Sequence, residues 1–269
     1  MILEALTWFI TPCDEAAKRL GYLSAAIGLQ ARAKRCRKAW APHVEQAQRA
    51  VTESIRRSPG RGTALVLGSG LGLEYSLAHM AAEFRQVILV DVVHLPSLRR
   101  AIRRYPNVSL LRLDLSGVIA GLASLPPSAH ASDLEQLSIS PPGLQALQPD
   151  WVLSANLLSQ LPLLPAAWLE SHCPAIDAAA IEAFGRRLMR RHLQWLEGFD
   201  APVCLIADAA QTLHDTDGKI VEHTDLATAL GFDSMSYAHW EWTLAPEGEL
   251  PDGLTSRHQM VACHRPATT

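Results

Sequence analysis

Three points along the chain carry residues whose types and spacing suit the holding of a nucleoside. The first is Leu65-Val66-Leu67-Gly68-Ser69-Gly70-Leu71-Gly72-Leu73-Glu74, an apolar run that ends in a G-x-G-x-G array. Glycine permits a tight turn there and lets a ligand approach the backbone closely, and a helix opening after it would offer free N–H groups. The second is Asp91, with Val92 beside it, closing Val87-Ile88-Leu89-Val90 about twenty residues further on. An acid at that distance is placed to accept hydrogen bonds from both hydroxyls of a ribose. The third is Leu111-Arg112-Leu113-Asp114-Leu115, which sets Asp114 at the end of another apolar run.

These points need strands and helices to bring them together. Thr63 to Leu67, Val87 to Val90, Val108 to Leu113, Trp151 to Ala155 and Pro202 to Ala207 are short and nearly all apolar, as strands covered on both faces are. Helical patterns fall between them at Leu73 to Glu83, Pro96 to Tyr105 and Asp177 to Leu196. The alternation predicts a mostly parallel sheet. Ser236 to Leu244 and Thr255 to His264, with no helix between, predict a terminal antiparallel hairpin. Residues 12–57 read as helix, divided at Gly28 and bent near Pro42, and Ser58-Pro59-Gly60-Arg61-Gly62 ends them. Residues 1–58 are therefore expected to form a helical cap on a domain of residues 59–269. Residues 117–149 are expected as a loop with one helix, and residues 157–176 as a lid or extended crossover.

With these elements the chain resembles the class I S-adenosylmethionine-dependent methyltransferases over roughly residues 63–264. The resemblance rests on Gly68-Ser69-Gly70-Leu71-Gly72, on Asp91, on Asp114 and on the fourth strand Asp150-Trp151-Val152-Leu153-Ser154-Ala155-Asn156. It implies a Rossmann-like α/β fold whose reversed last strand completes a seven-stranded sheet, with S-adenosylmethionine as cofactor. The glycine turn would then lie under the methionine part, Asp91 would hold the ribose, and Asp114 with Leu115 would contact adenine. Two departures stand out. The family's acid two residues before the first glycine is Val66 here, for which Glu74 or Asn156 would compensate. No N-P-P-Y sequence follows the fourth strand, so methylation of DNA-base or glutamine nitrogens lacks its signature. A nicotinamide cofactor is disfavoured because G-x-G-x-x-G wants a glycine at Leu73.

In methyl transfer the protein must hold an acceptor in line behind the methyl carbon and, for a hydroxyl, remove its proton. Asp208, just past the fifth strand, and His214, in the loop after it, are the candidate bases. Asn156 and Gln160 either hydrogen-bond a ligand or cap the fourth strand. Trp240 and Trp242 share one strand face, as sheet core or as the wall of an apolar pocket. Trp8, Phe9, Tyr22 and Trp40 on the helical segment either pack or shape the acceptor pocket. No metal site is expected.

The bulk properties agree with a small-molecule acceptor. Of 269 residues 48% are hydrophobic and 19% charged, which suits a large core. A formal charge of −3 gives no general reason to expect nucleic acid. The basic run Arg32-Ala33-Lys34-Arg35-Cys36-Arg37-Lys38 leaves an anionic partner open. Five dispersed cysteines fit a reducing compartment. Neither a signal peptide nor a membrane span is seen, so a cytoplasmic protein is expected. The alternatives are a non-catalytic protein on this fold, or a methyltransferase of RNA or protein.

Overall fold

The computed structural model describes residues 2–232 and 236–267. Four helices open the chain: α1 (Ile2–Ile10), α2 (Glu15–Arg19), α3 (Tyr22–Arg35) and α4 (Arg37–Arg56). The helical segment is divided at Gly21 and at Cys36 rather than at Gly28, which lies inside α3. Gly21 takes the left-handed turn between α2 and α3 (φ +87), which costs a glycine no steric strain. Pro42 sits within α4.

Then follow β1 (Thr63–Leu67), α5 (Leu77–Glu83), β2 (Gln86–Asp91), α6 (Pro96–Ala101), β3 (Val108–Arg112), α7 (Ile119–Ala123), α8 (Ala131–Gln136) and β4 (Trp151–Ala155). The chain continues through α9 (Leu163–His172), α10 (Ala178–Glu197), β5 (Val203–His214), β6 (Ile220–Asp225), α11 (Leu226–Leu230), β7 (Ser236–Ala245) and β8 (Thr255–Arg265). The sheet runs in the order β3-β2-β1-β4-β5-β8-β7. The strands from β3 to the first half of β5 are parallel, and β8 lies antiparallel between β5 and β7.

The parallel sheet and terminal hairpin are as expected; several details differ. The sheet has eight strands, not seven. Beyond Ala207, β5 continues to His214 and pairs with β6 through a turn at residues 215–219. That ribbon is polar and partly exposed, so no apolar run announces it. Residues 117–149 hold two helices and a short 3-10 turn, and the segment expected as a lid or extended crossover is mainly helix α9. The helix after the glycine turn starts at Leu77, not Leu73, because Ser76 caps it through the amide of His79.

Side-chain alternation splits the sheet into two buried faces. Val66, Leu89, Leu153, Ile206 and Met260 meet Trp40, Ala47, Val51 and Ile55 of α4. Leu65, Ile88, Val152 and Leu205 meet Met189, Trp195 and Leu196 of α10. Helix α4 is thus a full layer of the core, pinned where the Tyr237 hydroxyl donates to the Ala50 carbonyl (2.7 Å) and Trp40 Nε1 to the Leu244 carbonyl (3.0 Å). Helix α3 sits on the turn after β2, where Leu23 and Ile27 pack against Val93 and Leu95. That contact holds α3 beside Asp91. Among the described residues no helix is long and apolar enough to cross a membrane.

Candidate functional site

Beyond β1 the glycine turn is stitched to β2. The amides of Gly68 and Ser69 both donate to the Val90 carbonyl (3.0 and 3.1 Å). The Gly70 amide donates to Asp91 Oδ2 and the Val92 amide to Asp91 Oδ1, each at 2.7 Å. An ionised carboxylate has about four acceptor positions, so Asp91 retains capacity for further donors. Gly70 holds φ +47, and a Cβ built there meets no protein atom closer than 3.7 Å. The turn runs on to Ser76, so its amides are not those of a helix N-terminus; Gln48 of α4 braces it by donating to the Leu73 carbonyl (2.9 Å).

At the end of β3, Asp114 is engaged locally. It accepts from the amide and hydroxyl of Ser116 (2.8 and 2.5 Å) and, through its other oxygen, from the Ile119 amide at the start of α7 (2.9 Å). This fixes Leu115 and Ser116 beside the β2 end. At the end of β4, Asn156 is buried at φ +49, a region few non-glycine residues occupy. Its carbonyl accepts from Gln160 Nε2 (2.7 Å), and its side-chain oxygen has no partner among the described residues.

These strand ends open onto one cavity of about 670 Å³, in the size range of small-ligand sites. Gly68, Gly70, Leu71, Asp91, Val92, Asp114, Leu115 and Asn156 all line it. Ser69 and Gly72 lie outside the lining, beneath the turn, where the Ser69 carbonyl accepts from the Gly72 amide and the Tyr75 hydroxyl. Helices α3 and α4 supply the opposite wall, with Tyr22, Trp40 and His43. Trp8 and Phe9 are exposed on α1, outside the lining. The candidate bases also lie outside it. Asp208 is buried within β5 and accepts from Ser159 Oγ, from Gln211 Nε2 (3.3 Å) and, through its other oxygen, pairs with His258 Nδ1 (2.9 Å). His214 ends β5 against Thr212 Oγ1 (3.0 Å) and the Gly218 carbonyl (3.2 Å). Val66 is wholly buried in the sheet core.

The strand order, parallel from β3 through β4 into β5 with a reversed final pair, settles the architecture. The fold is that of the class I methyltransferases. No protein-family model matches the sequence, and no curated protein matches it significantly. Solved structures similar to it include the 1,6-didemethyltoxoflavin-N1-methyltransferase of Burkholderia thailandensis, with bound 1,6-didemethyltoxoflavin and S-adenosylhomocysteine, at 12% identity and TM-score 0.40 over 94% of this chain and 92% of that one. A second is DhpI in complex with S-adenosylhomocysteine, at 17% identity and TM-score 0.36 over 94% and 98%. A third is the N-methyltransferase NodS of Bradyrhizobium japonicum, at 12% and 0.34 over 81% and 85%. At these identities and scores none of them bears on the chemistry of this chain.

Burial shapes the site's charges. Glu74 lines the cavity, and dense packing around it pushes its carboxyl up to about 7. Burial also raises Asp91, against the pull of its backbone hydrogen bonds. His43 is pushed down to about 4 by burial, as are His94 and His192. The three histidines give the fold a pH dependence. In an unfolded chain each takes up a proton near pH 6.5, which the folded protein resists until about 4. Glu74 and Asp91 work the other way, holding their protons to higher pH when folded, but the three histidines, joined by His264, which burial also lowers, outweigh those two. Stability to urea is therefore expected to fall as pH drops from about 6.5 toward 4. A urea midpoint that stays constant or rises over that interval would contradict the burial of these rings.

Of the side chains that line the cavity, His43 is not legible in the sequence. Its i, i+3 spacing from Trp40 puts both on one helix face, yet nothing local shows that this face meets a cavity.

Proposed function

We propose that this chain is an S-adenosylmethionine-dependent methyltransferase acting on a small-molecule acceptor. The observation that carries the reading is the meeting, in one cavity, of the glycine turn, Asp91 and the Asp114–Ser116 turn at the ends of three adjacent strands. The residues present fit the cofactor. Asp91 has acceptor positions left for two ribose hydroxyls. Gly70 has open space where any side chain would intrude. Leu115 gives adenine an apolar surface, and Tyr22 covers that end from α3. The cofactor supplies a methyl group already activated on a cationic sulfur.

Glu74 takes the place of the acid missing at Val66. It is a densely surrounded, half-buried carboxylate with no cationic side-chain partner among the described residues, and a desolvated carboxylate is stabilised by one. The ammonium of the methionine part meets that demand. Binding then draws Glu74 into its ionised form, so roughly half a proton is released at pH 7 by a group that titrates near 7. Calorimetry in buffers of different ionisation enthalpy should detect that release, and Glu74→Gln should remove it. Release unchanged in Glu74→Gln would reassign the ammonium's partner.

The enclosure by α3 and α4 favours a small acceptor over a polymer, and the free cysteines, four of them buried, suit a cytoplasmic setting. Tritiated methyl from labelled cofactor is expected in the low-molecular-weight fraction of a cell extract. Label in RNA or protein would contradict this acceptor class. A second reading, a protein that binds the cofactor without transferring the methyl, is favoured by the position of Asp208 and His214 outside the cavity; bound cofactor with no label transferred to any fraction would support it.

A further inference from the structure

The cavity carries opposite charge on its two walls. The strand ends and the turn after β1 bring Asp91, Asp114 and Glu74 to it, whereas α3 brings Arg32 and Arg35. Tyr22, Ala25, Ala26, Leu29 and Arg32 follow one another at helical spacing, so they form a stripe along α3, and all five line the cavity. The Tyr22 end of that stripe lies near Asp114 and Ser116. Arg32 follows ten residues later, about 15 Å further along the axis. An uncharged stripe thus begins at the expected adenine end and closes on a guanidinium.

Glu249, from the turn between β7 and β8, reaches across to this end of α3. It accepts from Nε and Nη2 of Arg35, each at 2.8 Å, and its side chain is 12% exposed. Arg32 Nε stands 3.6 Å from the same carboxylate, beyond hydrogen-bond reach. Arg32 makes no hydrogen bond among the described residues, and its side chain is 36% exposed, so its donors are open to a ligand. Two guanidiniums therefore share one carboxylate, which leaves a single net positive charge at this end of the cavity. Much of the remaining lining is aliphatic, with Leu29 of α3, Leu161 before α9, and Leu163 and Leu164 within it.

We infer, resting on the methyltransferase reading, that the methyl acceptor is an apolar molecule carrying a carboxylate, and that Arg32 seats the carboxylate. The planar guanidinium fork matches a carboxylate with two parallel hydrogen bonds. One net positive charge suits a monoanion and leaves a phosphate dianion half-neutralised. Arg35, engaged by Glu249, fixes the end of α3 against the terminal hairpin and so positions Arg32. Arg32 here determines specificity; it holds the acceptor at a distance from the transferring methyl and takes no proton.

The test uses two probes of nearly equal shape, cinnamate with a carboxylate and cinnamamide with a neutral amide. Each is titrated calorimetrically with and without saturating S-adenosylhomocysteine. Cinnamate is expected to bind roughly tenfold or more tightly, because its hydrogen bonds are charge-assisted. Arg32→Gln should level the two probes, and Arg32→Lys, which keeps the charge without the fork, should retain part of the preference. Lys38→Gln removes an exposed charge of the same basic run outside the cavity lining and should leave the preference unchanged. Circular dichroism and the urea midpoint of each variant serve as folding controls. Equal binding of the probes to the native protein, binding of neither, a preference that survives in Arg32→Gln, or one that Lys38→Gln removes as well would overturn the proposal. S-adenosylhomocysteine binding without a cinnamate preference would overturn the carboxylate seat alone. A cinnamate preference that depends on Arg32, in a protein that binds no S-adenosylhomocysteine, would overturn the methyltransferase reading and leave the seat standing.

Discussion

Asp91→Asn is expected to weaken binding of S-adenosylmethionine by roughly 100-fold or more. Hydrogen bonds to a charged acceptor are each worth about 1.5–3 kcal/mol, and in the proposed complex two ribose hydroxyls depend on this carboxylate. The amide also cannot reproduce the carboxylate's local bonds. Both oxygens of Asp91 accept backbone amides at 2.7 Å, from Gly70 and from Val92. An asparagine must set its NH2 against one of those N–H groups, donor against donor. The turn that shapes the cavity floor then loses a strut along with the ligand's partner. Calorimetric titration of both proteins, with urea unfolding as a control, checks this. A stable Asp91→Asn that binds within threefold of the native protein would remove Asp91 from the site.

Gly70→Val is expected to abolish detectable binding while the sheet still forms. The residue holds φ +47, where a β-branched side chain is a steric outlier, so strain of about 1–3 kcal/mol falls on the turn. A Cβ at this position finds no protein atom closer than 3.7 Å, so the side chain is not displaced by the core. It occupies open space beside a cavity that Gly70 itself lines. Far-ultraviolet circular dichroism should stay near native while the titration loses its signal. Undiminished binding would mean that the ligand does not cross the turn.

The two halves of the molecule differ in how plainly the sequence announces them. β1, β2 and β4 sit between α4 on one side and α10 on the other, so both faces are apolar and each strand reads as one continuous run. The outer half of β5 and all of β6 have no second layer; Asp208, Gln211, Glu222 and His223 interrupt any apolar pattern, and a strand there is legible only from its partner. The strand ends below the cavity are near one another in sequence, since the glycine turn, Asp91 and Asp114 follow at intervals of about twenty residues and each closes its own apolar run. The wall opposite is not. His43, Trp240 and Trp242 meet across nearly two hundred residues, and pairing a donor-only indole with one ring nitrogen requires the packed structure. Glu74 stands between these cases: its position beside the turn is plain, but its lack of a cationic partner is a property of the fold.

Under the proposed function, one cavity at the ends of β1, β2 and β3 holds S-adenosylmethionine. Calorimetric titration of the native chain with S-adenosylhomocysteine, repeated on Gly70→Val, tests it most directly. A single site of micromolar affinity is expected, competing with S-adenosylmethionine and disappearing in Gly70→Val. No heat of binding with the native protein, or equal binding by the folded variant, would contradict it.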